Sequence, residues 1–185
     1  MTPEEEVLGR VVAMLDRLAI PYMVTGSVAT SYHGRPRATH DADIVIDPTP
    51  AELDALVHAL DANGFYVSAE GARDALRDRR LFNVIEMRRA TKVDVIPRKL
   101  RPFSVEEFSR RQRVNLAFAS SVAIVTAEDA ILSKLEWARM AGDSERHLRD
   151  AAGVLELNPA VDREYLARWA TELGVADLWQ RLLHV

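Results

Sequence analysis

Three short stretches decide the fold: Thr25-Gly26-Ser27, Arg37-Ala38-Thr39-His40-Asp41-Ala42-Asp43, and Lys92-Val93-Asp94-Val95-Ile96. The first follows an apolar run rich in strand-forming residues and precedes a short helical pattern, so it predicts a tight turn from a strand into a helix. The second leads into another apolar strand, and the third is itself a strand with one carboxylate at its centre. Together they predict a small sheet with polar side chains gathered on one face.

The aspartates of the second and third stretches are candidate metal ligands. Asp41 and Asp43 are two residues apart at the start of a strand, so both side chains point to the same face. Neighbouring carboxylates repel each other, and a divalent cation relieves that repulsion. If the strand of Asp94 lies beside that of Asp43, three carboxylates converge, and such a site suits Mg²⁺ or Mn²⁺.

The Gly26-Ser27 turn supplies a complementary phosphate site. Glycine lets a phosphate approach the backbone closely, and the N-terminus of the following helix offers N–H groups to an anion. Ser27 adds a hydroxyl. Beside paired aspartates, such a turn provides the equipment for phosphoryl or nucleotidyl transfer assisted by two metal ions.

The rest of the chain divides into a mixed part and a helical tail. Thr-Pro-x-Glu patterns at Thr2 and Thr49 predict capped helix starts, and Ser104-Val105-Glu106-Glu107 predicts a third. The later sequence keeps a helical apolar pattern to its end. We therefore expect a mixed α/β domain over residues 1–125 and a C-terminal helical subdomain over residues 126–185 that packs on it.

The composition is typical of a globular protein without disulfides. The 185 residues include 24 basic and 28 acidic side chains and no cysteine, and no apolar stretch is long enough to span a membrane. The N-terminus lacks the layout of a secretory signal, so we expect a cytoplasmic protein. Between Arg73 and Arg113, thirteen basic residues accompany six acidic ones. This local excess indicates either a surface for a polyanion such as RNA or a solvated face of helices.

The order of these motifs resembles the polymerase-beta-type nucleotidyltransferase superfamily, over roughly residues 20–157. Its pattern is a Gly-Ser turn, then R-x-T-x-D-x-D followed by an apolar residue, then an isolated aspartate in a later strand. Within that superfamily the tail is similar to the AbiEii-like toxin nucleotidyltransferases, in which E-D-x-x-x-x-K precedes an Arg-Asp pair on the next helix. The matching tail positions are Glu128-Asp129, Lys134 and Arg149-Asp150.

The resemblance implies a fold, a reaction and a role for each matching residue. The fold is a small mixed β-sheet flanked by helices, with a helical subdomain over one edge of the cleft. The reaction moves an NMP from an NTP to an acceptor hydroxyl and releases pyrophosphate, with two Mg²⁺ or Mn²⁺ ions. Asp41, Asp43 and Asp94 would bind the metals, and Asp94 would also help to deprotonate the hydroxyl. Nucleotide binding would fall to Gly26, Ser27, Arg37, Thr39 and Lys134.

The sequence leaves the acceptor open. One candidate is tRNA or another RNA, bound through the segment Arg73–Arg113 by a toxin that a cognate antitoxin or other partner protein would control. A second is a small molecule such as an antibiotic, which an acidic pocket would favour. A third reading is a non-catalytic protein that binds nucleotide or a partner, as the antitoxin-like member of a pair.

Overall fold

A computed structural model describes residues 2–36 and 42–184. Within these two ranges the chain forms seven strands and nine helices. The strands are β1 (Tyr22–Thr25), β2 (Ala42–Ile46), β3 (Phe65–Tyr66), β4 (Phe82–Glu86), β5 (Thr91–Pro97), β6 (Gln112–Leu116) and β7 (Ala119–Ile124). The helices are α1 (Pro3–Arg17), α2 (Gly26–His33), α3 (Pro50–Ala62), α4 (Ala69–Asp78), α5 (Pro102–Arg110), α6 (Ala127–Met140), α7 (Glu145–Leu157), α8 (Arg163–Glu172) and α9 (Ala176–Leu183).

All seven strands belong to one mixed sheet, in the order β3-β4-β5-β2-β1-β7-β6. The pairs β2–β5 and β1–β7 are parallel, whereas β1–β2, β3–β4, β4–β5 and β6–β7 are antiparallel. The sheet confirms the prediction of a small mixed β-sheet flanked by helices. Its centre consists of β5, β2 and β1, the strands that carry the sequence motifs.

The two Thr-Pro-x-Glu patterns begin helices as predicted. Thr2 and Thr49 are N-caps, each with a reciprocal capping box to the glutamate three residues later. The third predicted start is wrong, because α5 begins two residues before Ser104, with Pro102 at its first position and Arg101 as N-cap. Proline is favoured at that position because its missing N–H would have no partner there. Glu107 is therefore free of any capping role and takes a different place in the fold.

The two faces of the central strands have different neighbours. On β2, Ala42, Ile44 and Ile46 are buried in the main hydrophobic cluster, which includes residues of α1 and α3. The alternate positions, Asp43 and Val45, are only half-buried and point to the other face. This second face is open enough to form the floor of a cleft.

The C-terminal helices have their own hydrophobic cluster. It contains apolar residues from α6 to α9 and also Phe103 of α5, whereas Ala130 of α6 belongs to the main cluster. The predicted domain boundary between residues 125 and 126 stays a prediction, since Phe103 and Ala130 each pack in the cluster on the other side of it. Among residues 2–36 and 42–184, no helix is long and apolar enough to cross a membrane.

Candidate active site

The register of the sheet places Asp43 and Asp94 side by side. β2 and β5 are parallel neighbours in which Asp43 pairs directly with Asp94. Paired residues on adjacent strands project to the same face, with the backbones about 4.8 Å apart. The side chain of Asp94 is 14% exposed. Two of the three predicted metal ligands therefore meet on the open face, while Asp41, like Arg37 and Thr39, lies outside the described residues.

Gly26 lies tightly against the carboxylate of Asp43. Its φ is +64°, and a Cβ at this position would lie 2.1 Å from Oδ2 of Asp43. No side chain fits there, because the atoms would overlap and the backbone conformation disfavours residues other than glycine. α2 begins at this glycine, and Ser27 is buried in its first turn. The N-terminus of α2 and one candidate metal ligand are thus in direct contact.

Two neighbouring side chains hold Asp94. Nδ2 of Asn83, its register partner on β4, donates a hydrogen bond to Oδ1 at 2.6 Å. Nζ of Lys92 lies 3.0 Å from the same carboxylate. The asparagine fixes the orientation of the carboxylate and the lysine balances its charge. A divalent cation bound to Asp94 would neutralise the carboxylate in place of Lys92, since the cation and the ammonium group would repel each other.

The donor set fits a divalent cation. The carboxylate oxygens of Asp43 and Asp94 are hard donors of the kind that Mg²⁺ and Mn²⁺ prefer. Among the residues that the structure describes, no group of three or more His, Cys, Asp or Glu side chains could hold a metal ion. A third protein carboxylate would have to come from Asp41.

A cleft of about 500 Å³ opens above the two aspartates. Its floor is the open face of β1, β2 and β5 together with the first turn of α2, and its far wall is formed by α5 and α6. This volume lies in the range typical of small-ligand sites. The described charged residues that line it are Asp43, Asp94, Lys99, Arg101, Glu107, Lys134, Glu136 and Arg146.

Lys134 lines the cleft from α6 and is paired within the protein. Its Nζ lies 3.0 Å from Oδ2 of Asp150 on α7, and the two side chains are only 6% and 9% exposed. The ion pair fixes the lysine at the cleft wall. The sequence prediction that Lys134 contacts nucleotide phosphate is compatible with this position and stays a prediction.

Solved structures supply the comparison with known proteins, since no protein-family model and no curated protein matches the chain. The crystal structure of ANT(2'')-Ia in complex with adenylyl-2''-tobramycin aligns with a TM-score of 0.60 at 16% identity, over 94% of this chain and 98% of that one. The solution structure of the antibiotic-resistance factor ANT(2'')-Ia gives 0.58 at 14% identity, over 98% and 97%. An antigenic nucleotidyltransferase-like protein from Paracoccidioides brasiliensis gives 0.60 at 17% identity, over 97% and 91%. The chain has the nucleotidyltransferase fold.

In this nucleotidyltransferase fold, the Glu128-Asp129 motif ties the C-terminal helices together. Asp129 is fully buried and accepts hydrogen bonds from Oγ1 of Thr126 at 2.8 Å, from the hydroxyl of Tyr165 at 2.6 Å and from Nε of Arg110 at 3.2 Å. Burial raises the pKa of Asp129, although these donors oppose the shift. The motif therefore joins α5, α6 and α8 rather than facing the cleft.

Glu107 is a cleft residue that sequence reasoning missed. It is 8% exposed on α5 and accepts a hydrogen bond from Oγ of Ser133 on α6 at 2.8 Å. Burial raises the pKa of Glu107 to about 8. A signal was available in the spacing: Phe103 and Glu107 are four residues apart, so they share one face of α5. Because the sequence analysis assigned Glu107 to a capping box, it did not place this glutamate among the buried residues of α5, which also include Phe103, Ser104 and Phe108.

The arginines of the segment Arg73–Arg113 do not form one basic surface. Arg89 follows β4 in the hairpin turn before β5, whereas Arg98 follows β5, so the length of that strand, roughly 20 Å, separates them. Most of these arginines also have an acidic partner within 4 Å: Arg73, Arg77, Arg79, Arg80, Arg89, Arg98, Arg101, Arg110 and Arg113. The excess of charge along the sequence is thus divided into local ion pairs.

Proposed function

We propose that this protein is a metal-dependent nucleotidyltransferase that moves an NMP from an NTP to an acceptor hydroxyl. One observation carries the proposal: Asp43 lies beside Asp94 in register and against the Gly26 turn at the start of α2. Candidate metal ligands and a candidate polyphosphate site therefore share one cleft. The nucleotidyltransferase fold of the distant structural neighbours is consistent with this chemistry, and the site residues rest on the geometry and the sequence motif.

In the proposed reaction, Asp43 and Asp94, with Asp41, would hold Mg²⁺ or Mn²⁺. When bound, the ions would neutralise charge on the α-phosphate and on the pyrophosphate leaving group. The N–H groups of the first turn of α2 and the hydroxyl of Ser27 would bind the triphosphate. A carboxylate oxygen of Asp94 would accept the proton as the acceptor oxygen attacks the α-phosphorus. Lys134, oriented by Asp150, would face the outgoing phosphates.

Of the acceptors that the sequence leaves open, a small molecule is favoured. The cleft wall contributed by α5 and α6 carries the acidic side chains of Glu107 and Glu136, which suit a cationic group of a small acceptor better than the phosphates of an RNA backbone. The arginines expected to bind RNA are distributed over several elements, from α4 to β6, and are largely ion-paired. An RNA acceptor remains a prediction from the basic residues of the segment Arg73–Arg113, and membership of the AbiEii-like group and a cognate antitoxin remain predictions from the sequence motif.

A labelled-transfer assay tests the proposed function. The protein is incubated with Mg²⁺, each of the four NTPs labelled at the α-phosphate, and either bulk tRNA or a panel of amino sugars that includes tobramycin. We expect label on a small acceptor, and a loss of about 100-fold or more in Asp43→Asn and Asp94→Asn. Asp61→Asn is the matched control, since Asp61 is exposed on α3 away from the cleft. Label on tRNA alone would overturn the choice of acceptor.

A thermal measurement separates binding from catalysis. Mg²⁺ with ATP at 100 times its Kd should stabilise the native protein by about 2.7 kcal/mol, because the ligand binds only the folded state. Asp43→Asn should lose this gain. Stabilisation without transfer to any acceptor would support the non-catalytic, partner-binding alternative, and no stabilisation by any NTP would refute the proposed nucleotide site.

A further inference from the structure

The cleft wall opposite the aspartates contains three acidic side chains in close succession. Glu107 comes from α5, and Asp129 and Glu136 come from α6, where they stand one turn on either side of Ser133. Ser133 donates its hydroxyl to Oε1 of Glu107 at 2.8 Å. This group, which we name the acidic wall, faces the cleft through Glu107 and Glu136.

Two members of the acidic wall have a cationic partner and the third does not. Arg101 donates two hydrogen bonds to Glu136, both at 2.6 Å, and Arg110 donates to Asp129 at 3.2 Å. No Lys, Arg or His side chain in the described part of the chain forms an ion pair with Glu107. A buried carboxylate without a cation is costly, so Glu107 avoids its charge by keeping its proton. Burial is the main reason why the pKa of Glu107 is raised to about 8, and the neighbouring acidic groups of Asp129 and Glu136 also raise it.

We propose that Glu107 binds a protonated amine of the acceptor, so that the substrate is a small amine-bearing molecule with a hydroxyl group. The inference rests on the proposed function and names the substrate class of the same cleft. An ammonium group supplies the cation that the acidic wall lacks, and Ser104 and Ser133 place hydroxyls beside it in the cleft. At the acidic wall an anionic group would instead face Glu107 and Glu136, and the two arginines nearby, Arg101 and Arg110, are already engaged in ion pairs.

Binding of the amine should release a proton. The empty site holds neutral Glu107, and the occupied site holds a carboxylate paired with the ammonium, so one proton passes from the glutamate to solvent for each acceptor bound. The groups that influence this exchange are Arg101, Ser104, Asp129, Ser133 and Glu136, with Arg110 and Tyr165 behind Asp129. A neutral polyol would bind without this release.

Calorimetry on the native protein, loaded with Mg²⁺ and a non-hydrolysable ATP analogue, tests the proposal. Tobramycin and spermidine serve as amine probes and sucrose as the neutral probe, each measured at pH 7 in two buffers of different ionisation enthalpy. We expect an amine probe to bind with proton release. Glu107→Gln should weaken its binding about tenfold or more and remove the release. Glu106→Gln is the matched control, since this neighbour on α5 does not line the cleft.

The same samples distinguish failure of the inference from failure of the proposed function. Glu107→Gln should keep its stabilisation by Mg²⁺ with ATP, and its unfolding temperature at pH 7 should be no lower than that of Glu106→Gln. If ATP stabilises the native protein but neither amine probe binds, or both bind equally well to Glu107→Gln, the assignment of Glu107 is overturned and the nucleotide site stands. If ATP does not stabilise the native protein, the proposed function fails instead.

Discussion

At Gly26 the backbone and a candidate metal ligand occupy neighbouring space, which gives a sharp test of the site. In Gly26→Ala, the new methyl group would meet Oδ2 of Asp43 at 2.1 Å at a φ of +64°. We expect this variant to bind ATP with Mg²⁺ at least tenfold more weakly than the native protein, because the carboxylate or the turn must move. Gly174→Ala is the control, since Gly174 has a φ of +69° with open space around it.

The control separates backbone strain from the clash at the site. Both variants carry the cost of a non-glycine residue at positive φ, which is about 1–2 kcal/mol in the free energy of unfolding. Only Gly26→Ala should also lose nucleotide affinity. Equal nucleotide affinities in the two variants, measured by thermal shift over a range of ATP concentrations, would contradict the close contact between the turn and Asp43.

Glu107 makes a prediction for stability as a function of pH. Burial raises its pKa from 4.5 to about 8, so the folded state holds a proton that the unfolded state has lost between these values. The free energy of unfolding should therefore fall as the pH rises from about 4.5 to 8, by a contribution on the order of 5 kcal/mol. Glu107→Gln cannot ionise and should lack this contribution.

Urea unfolding of both proteins at several pH values checks the prediction. The native protein and Glu107→Gln should differ least in stability below pH 5, and the variant should become relatively more stable as the pH approaches 8 and beyond. A difference in stability that does not change between pH 5 and pH 8 would mean that Glu107 is ionised in the folded protein at neutral pH.

At the scale of elements, the sequence predicts what local interactions determine. The capping boxes at Thr2 and Thr49 involve residues three positions apart, so each helix start is encoded within one turn. The β4–β5 hairpin likewise follows from two strands and a short turn between them. By contrast, the predicted start of α5 was two residues too late. Pro102 and Ser104 both favour a helix start, and the local sequence pattern did not decide between them.

The candidate site depends on contacts between elements that are distant in the chain. The sequence predicts that the aspartates of β2 and β5 converge only if those strands are neighbours. About fifty residues separate the two aspartates along the chain, and no sequence pattern indicates that their strands pair. Glu107 is buried by α6, which begins twenty residues later. Periodicity along α5 could indicate that Glu107 shares a face with Phe103, but it could not indicate that α6 covers this face or that the face borders a cleft.

The ion pair between α6 and α7 tests whether Lys134 serves the fold, the nucleotide or both. Lys134→Met removes the cation 3.0 Å from the buried Asp150 and should cost about 3–5 kcal/mol of stability. The double variant Lys134→Met/Asp150→Leu removes both charges and should recover most of that loss. If Lys134 also faces the triphosphate, the double variant should still bind ATP at least tenfold more weakly than the native protein.

The measurements are urea unfolding for stability and thermal shift against ATP concentration for affinity. Arg139→Met/Asp177→Leu is the control pair, because its exposed ion pair also joins two C-terminal helices but lies away from the cleft. A stable Lys134→Met/Asp150→Leu protein with native ATP affinity would limit Lys134 to a structural role.

At the scale of the whole molecule, charge distribution decides between a small acceptor and an RNA. Each phosphate contacted by a basic side chain contributes about −0.9 to the slope of log K against log salt concentration, so an RNA site with six such contacts would have a slope near −5.

The ion pairs of Arg77, Arg79 and Arg80 with Asp74, Asp78 and Asp47 engage these arginines within the protein. We therefore expect tRNA binding with a slope no steeper than about −2, and little change in Arg77→Gln/Arg79→Gln/Arg80→Gln. Fluorescence anisotropy with labelled tRNA, measured at several NaCl concentrations from about 50 to about 300 mM, gives the slope for both proteins. A slope steeper than about −4 in the native protein that becomes shallow in the triple variant would instead restore RNA as the acceptor, because only a continuous basic surface releases that many counterions.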